Sequence, residues 1–191
     1  MSVVIVLRFS QTPTGVGRPP GILGTVVRLN GVVENSGIER VKTHAEQLGL
    51  DVEVVERPAA DSLEGAAALL GLQPGDIMKS LVVKRHDGDF LFALIPGDRQ
   101  ISWPKLRALV GVNKLAMPPQ DVALAATGYE RGTITPLGST TAWPVYQDAA
   151  FHGRVAMGAG AHGHSAFVDA EQLAKALGAT VADISEPIPP R

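Results

Sequence analysis

The sequence predicts a mixed α/β domain whose largely antiparallel, barrel-like sheet is flanked by helices. Three observations predict it. From residue 36 onward, segments of helical period are interspersed with short strand-like runs. The clearest strand pair is joined by a tight Asp87-Gly88 turn rather than by a crossover helix. The glycine-rich run after residue 157 leads into another alternating segment, which argues against a doubly wound parallel sheet.

The elements follow in order. Residues 1–33 hold Arg8, Arg18 and Arg28, no acid, and the breaker Pro19-Pro20-Gly21. Only residues 3–7 read as a strand, and the segment fits neither a secretory signal nor a transit peptide. We expect residues 1–34 to be a flexible extension or a misassigned start, residues 35–184 to be the domain, and residues 185–191 to be a tail. Ser36-Gly37-Ile38-Glu39 reads as a capping box opening a helix with Val41, Ala45 and Leu48 on its apolar face and Gly49 at its end. Val52, Val54 and Val55 suggest a short strand, and Asp61-Ser62-Leu63-Glu64 opens a second helix that Gly71 closes. Residues 78–84 and 90–95 form the hairpin around Asp87-Gly88. Ser102 and Pro104 start a helix that Gly111 stops, and residues 120–127 form another, ended by Gly128. Residues 133–146 are turn-rich. Strands are expected at 154–157 and 166–168, a last helix from Asp169 to Gly178, and a final strand at 181–184.

Composition narrows the chemistry. The 191 residues are 45% apolar and 19% charged, and no run of eighteen apolar residues offers a membrane span. Without cysteine there is no disulfide, no thiolate metal site and no cysteine nucleophile. Seventeen Lys and Arg against nineteen Asp and Glu give a net charge of −2, so any RNA contact must come from a local patch.

Four features could carry function. Gly158-Ala159-Gly160-Ala161-His162-Gly163 matches a dinucleotide fingerprint in letters, but no helix opens from it, and a glycine-rich turn between strands fits better. His162 and His164 could share a strand face, yet no second ligand pair supports them, so no metal and no other cofactor is expected. Lys79 stands in an apolar strand beside Ile77, Met78 and Leu81; it either snorkels to the edge or presents a cation at a pocket mouth. Gly132-Thr133-Ile134-Thr135-Pro136-Leu137-Gly138 is a constrained loop that either makes a simple turn or offers backbone donors to an oxyanion.

Taken together, Lys79, the pair Asp98-Arg99, the 132–138 loop and the later glycine turn resemble the YbaK/prolyl-tRNA synthetase-associated editing domain family over roughly residues 38–184. The resemblance implies a trans-acting deacylase that hydrolyses the ester of a mischarged tRNA. The amino acid would be small, of the Cys, Ala or Ser type, and the tRNA that of proline. It implies that Lys79, Gly132 and Pro136 serve catalysis. Thr133, Ile134, Thr135, Gly160, Gly163 and Ser165 would contact the 3′-terminal aminoacyl-adenosine. Lys84, Arg85 and Arg131 join Lys79 as candidate phosphate contacts. A synthetase partner and a cytoplasmic location, with no membrane role, complete the expectation. Two positions depart from the cysteine-specific branch: Ser165 stands where that branch has an aspartate, and Val55, Glu56 and Arg57 stand near its tyrosine. The amino acid removed is therefore open, and so is an alternative, a non-catalytic module that binds a tRNA end or nucleotide.

Overall fold

The structure is a computed structural model and describes residues 29–58, 60 and 62–189. The reading of residues 1–28 as an extension, with a strand at 3–7, lies outside the described residues. The order is α1 (Leu29–Leu48), β1 (Glu53–Glu56), α2 (Leu63–Leu69), β2 (Met78–Arg85), β3 (Phe90–Pro96), β4 (Arg99–Ile101), α3 (Trp103–Val110), β5 (Leu115–Ala116), α4 (Gln120–Thr127), β6 (Val145–Asp148), β7 (Arg154–Gly158), β8 (His164–Asp169), α5 (Ala170–Ala176), β9 (Thr180–Ala182) and β10 (Ser185–Pro187).

Local chemistry accounts for most boundaries. Ser62 accepts from the Gly65 N–H and Asp169 from the Gln172 N–H, each satisfying an orphan donor at a helix start. Gly111 and Gly128 end α3 and α4 in the left-handed conformation, which costs a glycine nothing sterically.

Three sheets share the strands. β5-β2-β3-β6-β9 is the largest, with β2–β3 and β2–β5 antiparallel and β3–β6 and β6–β9 parallel. β1-β8-β7 is antiparallel throughout, and β10 pairs with β4. A parallel bridge between Ile77 and Ala156 ties the start of β2 to β7, so the two larger sheets bend toward one another. β3 is buried along almost its whole length and serves two cores by strand alternation. Phe92 and Leu94 pack with Val41 and Ala45 of α1 and with Val155 and Val168. Leu91, Ala93 and Ile95 pack with Leu106 of α3 and with Ile184.

Three expectations are corrected. α1 begins at Leu29, so Ser36-Gly37 lies inside a continuous helix and does not start one. Among the residues whose side chains are described, Ile38, Val41 and Ala45 of this helix are buried in the core. Residues 185–187 are not tail: Ser185 is fully buried, and its hydroxyl and carbonyl both receive the Arg99 side chain. The segment read as turn-rich, residues 133–146, runs into a strand at its end: residues 145–148 form β6, a largely buried strand between β3 and β9.

Candidate functional site

A cavity of about 830 Å³ opens between the edges of the two larger sheets. β2 supplies Lys79 and Ser80, β7 supplies Met157 and Gly158, and β8 supplies Ser165. Arg131, Gly132 and Ile134 close it from one loop, and α2 covers it with Leu63 and Ala66. The volume falls within the range of about 300–1,000 Å³ usual for small-molecule and cofactor sites.

Lys79 enters this space from β2, where it pairs with Ile95 of β3. Its Nζ donates to the Arg99 carbonyl. Desolvation lowers its pKa, and the nearby carboxylates of Asp98 and Glu64 oppose that shift. The Asp98-Arg99 pair therefore has a structural meaning. Its acid and its carbonyl steady the lysine, while the Arg99 guanidinium clamps β10 through Ser185.

The loop at 132–138 is held from behind. The Tyr129 hydroxyl donates to the Leu137 carbonyl (2.8 Å), and the Gly138 N–H donates to His44 Nδ1 of α1 (2.9 Å). Arg40 of α1 donates to the Gly128 carbonyl (2.8 Å), and its guanidinium lies 4.3 Å over the Tyr129 ring. Burial raises the Tyr129 pKa to about 12. Thr133, Thr135 and Pro136 are buried, and the two threonine hydroxyls are used within the loop. Gly132 and Ile134 lie on the cavity wall, and their backbone N–H groups have no hydrogen-bond partner among the described residues.

The later glycine turn braces this loop. The Gly160 N–H donates to the Thr133 carbonyl (3.0 Å). With φ at +80°, Gly160 lies so close to Gly37 that a Cβ would stand 2.7 Å from its backbone. The Gly163 carbonyl accepts from the Arg57 N–H (2.7 Å), and Arg57 Nε donates to Ser165 Oγ (3.0 Å).

Lys79, Gly132, Ile134 and Ser165 thus line the same cavity, whereas Thr133, Thr135, Pro136, Gly160 and Gly163 do not line it and support the segments that do. Arg131 also lines the cavity. Lys84 and Arg85 do not, and Arg85 is paired with Asp87 at 2.8 Å. His162 pairs with Glu130 (3.0 Å), and among the described residues no group of three or more His, Asp or Glu side chains is placed to hold a metal. Sequence reasoning missed Arg57, Ser80, Gly158 and His164 as wall residues. Gly158 carried a signal, as the first glycine of the run. Arg57 was visible only as a departure from a pattern.

This mixed α/β domain presents a lysine, two arginines and unengaged loop amides to one cavity, and among the described residues no aspartate or glutamate lines it. Comparison with known proteins defines it further. The profile of the aminoacyl-tRNA editing domain matches residues 57–176, and the chain belongs to that family. A proline–tRNA ligase of Thermosipho africanus is 36% identical over 88 residues, covering 46% of this chain and 16% of the ligase. An Enterococcus faecalis protein provisionally named Cys-tRNA(Pro)/Cys-tRNA(Cys) deacylase EbsC is 32% identical over 104 residues, 53% of this chain and 63% of that one. The alignments span under a fifth of the ligases and less than two thirds of the deacylase. A crystal structure provisionally described as a trans-editing enzyme for prolyl tRNA synthetase superposes with a TM-score of 0.73 at 28% identity, over 78% of this chain and 97% of that one.

Proposed function

We propose that this protein is a trans-acting aminoacyl-tRNA deacylase that hydrolyses the ester of mischarged tRNA(Pro) carrying a small amino acid. The observation that carries the reading is the cavity wall. Lys79, anchored on the Arg99 carbonyl, shares it with Gly132 and Ile134, whose N–H groups are unengaged. An aminoacyl ester is reactive already, so holding it and a water in line removes much of its barrier. The carbonyl oxygen gains charge in the transition state, and loop amides or the Lys79 ammonium stabilise it there without a protein nucleophile. Lys79, Gly132 and Pro136 remain the proposed catalytic set, with Pro136 acting through the loop it stiffens from its buried position.

The need for such an enzyme follows from the limits of binding. One methylene is worth only about 1–3 kcal/mol in a pocket, so a synthetase cannot strongly reject an amino acid slightly smaller than its own. The names of the similar proteins support cysteine and tRNA(Pro) as candidate substrates, and alanine and serine are the other small amino acids of this proposal. No helix among the described residues is long and apolar enough to cross a membrane, and the cytoplasm, where charged tRNA is consumed, is the location this reading implies.

The test is deacylation of alanyl-, cysteinyl- and seryl-tRNA(Pro) by the protein and by Lys79→Ala. Turnover of one substrate, lost in the variant, is the expected result. Equal turnover by both proteins would remove Lys79 from the mechanism. A second reading, a module that binds the tRNA end without hydrolysis, is favoured by Ser165, whose hydroxyl is engaged by Arg57 where the cysteine-specific branch has an acid. Retained binding without turnover of any substrate would establish it.

A further inference from the structure

The charge lining the cavity is one-sided. Arg57, Lys79 and Arg131 lie on its wall, and among the described residues no aspartate or glutamate does. Among the described residues none of the three is in an ion pair within 4.0 Å. Lys79 at least has Asp98 and Glu64 nearby. Among the described residues Arg57 is fixed by neutral groups: its N–H on the Gly163 carbonyl, its Nε on Ser165 Oγ, and one terminal nitrogen on the Pro58 carbonyl (3.1 Å). A guanidinium held in place by neutral acceptors keeps its full charge and a fixed fork for an incoming anion.

Its position says which anion. The bond to Ser165 is partly buried and the bond to Pro58 is exposed, so the guanidinium runs from the wall to the rim. Arg131, the other arginine of the cavity, is exposed. The reacting ester belongs with Lys79 and the loop amides, and the rest of a tRNA must leave by the rim. There the first negatively charged group is a phosphodiester.

We infer that Arg57, oriented by Ser165, binds a phosphodiester of the tRNA 3′ end, and that the serine matters because it leaves this charge free. The inference rests on the proposed tRNA-end substrate but not on hydrolysis. An aspartate at 165 would put a carboxylate against Nε and cancel the charge intended for phosphate.

The experiment measures binding of two non-hydrolysable probes. One is a CCA trinucleotide bearing alanine through a 3′-amide, and the other is 3′-alanylamino-adenosine, which has no phosphate. Arg57→Gln is expected to weaken the trinucleotide about 10- to 100-fold, the loss typical of a charge-assisted contact, and to leave the nucleoside within about 3-fold. Ser165→Asp is expected to follow Arg57→Gln, whereas Ser165→Ala keeps the charge and most of the affinity. The salt dependence of trinucleotide binding flattens by about 0.7 in log–log slope when one phosphate contact is lost.

Equal weakening of both probes, or no weakening, would overturn the inference. So would a 3′-aspartylamino-adenosine that binds the protein more tightly than its alanyl counterpart in an Arg57-dependent way, since the anion would then be the amino-acid side chain. Because neither probe is turned over, a protein that binds through Arg57 but hydrolyses nothing would sink the deacylase and leave this inference standing. Turnover with Arg57-independent binding would do the reverse.

Discussion

Gly158→Ala is the change that most sharply joins the fold to the chemistry. At the end of β7, Gly158 faces the loop that carries Gly132 and Ile134, and a Cβ there would stand 2.7 Å from the Thr133 carbonyl oxygen and closer still to that of Ile134. Ordinary non-bonded contact lies near 3.5 Å, so strand and loop must part by about 1 Å. Both neighbours are backbone atoms, and neither can swing aside as a side chain would. The parting also stretches the Gly160 N–H bond to Thr133. Overpacking of this kind costs about 1–3 kcal/mol, or roughly 2–12 °C in Tm for a domain of this size. A displacement of about 1 Å at a catalytic wall can lower the rate about 100-fold. Gly49→Ala is the control: φ is +66° but nothing lies within 4 Å, so it carries backbone strain without moving the wall. Thermal unfolding and deacylation of both variants decide it. If Gly158→Ala kept full activity and full Tm, the close approach of β7 and the loop would not matter to the site, and the account of the wall would be wrong.

Three further outcomes follow from the same contacts. Tyr129→Phe leaves the buried Leu137 carbonyl without its donor and is expected to cost about 1–2 kcal/mol in denaturant unfolding. A raised tyrosine pKa means that its contribution is complete below pH 10 and lost as pH rises toward about 12, so the wild type's advantage over the phenylalanine variant shrinks across that window; an unchanged difference would contradict it. Lys79 has the opposite sign. Its folded pKa lies below 10.5, so the unfolded chain binds more protons between the two values and the wild type gains stability relative to Lys79→Met as pH rises through that interval; a pH-independent difference would show that burial does not penalise the ammonium. Binding of a tRNA 3′ end is expected to weaken with salt, with a log–log slope between about −0.7 and −2 for one to three phosphate contacts, despite the net charge of −2; a slope near zero would exclude the cationic wall as the binding surface.

The parts of this molecule written in local signals could be read from sequence. The Asp87-Gly88 hairpin, the caps Ser62 and Asp169, the terminating glycines Gly111 and Gly128, and the strand after Gly163 all appear where their chemistry places them. Lys79 was visible because a cation in an apolar strand demands an explanation. What stayed hidden depends on distant partners. β6 carries no marked alternation, and it is a strand because β3 and β9 lie on either side of it. β10 exists because Arg99, 86 residues earlier, reaches Ser185. Arg57 joins the site through Gly163 and through Ser165, the latter 108 residues away, and no spacing rule spans that distance. The loop at 132–138 was legible as a constrained turn. The division into wall residues, Gly132 and Ile134, and buried supports, Thr135 and Pro136, came only with the packing of α1 and Tyr129 against it.

The central claim is that this cavity shortens the life of a mischarged ester. The most direct test is the first-order decay of alanyl-, cysteinyl- and seryl-tRNA(Pro) with the protein in excess, set beside correctly charged prolyl-tRNA(Pro). The account predicts that at least one mischarged ester decays many times faster than it does spontaneously, that this acceleration disappears in Lys79→Ala, and that the prolyl ester is spared. Mischarged esters that decay at their spontaneous rate while bound to the protein would contradict it.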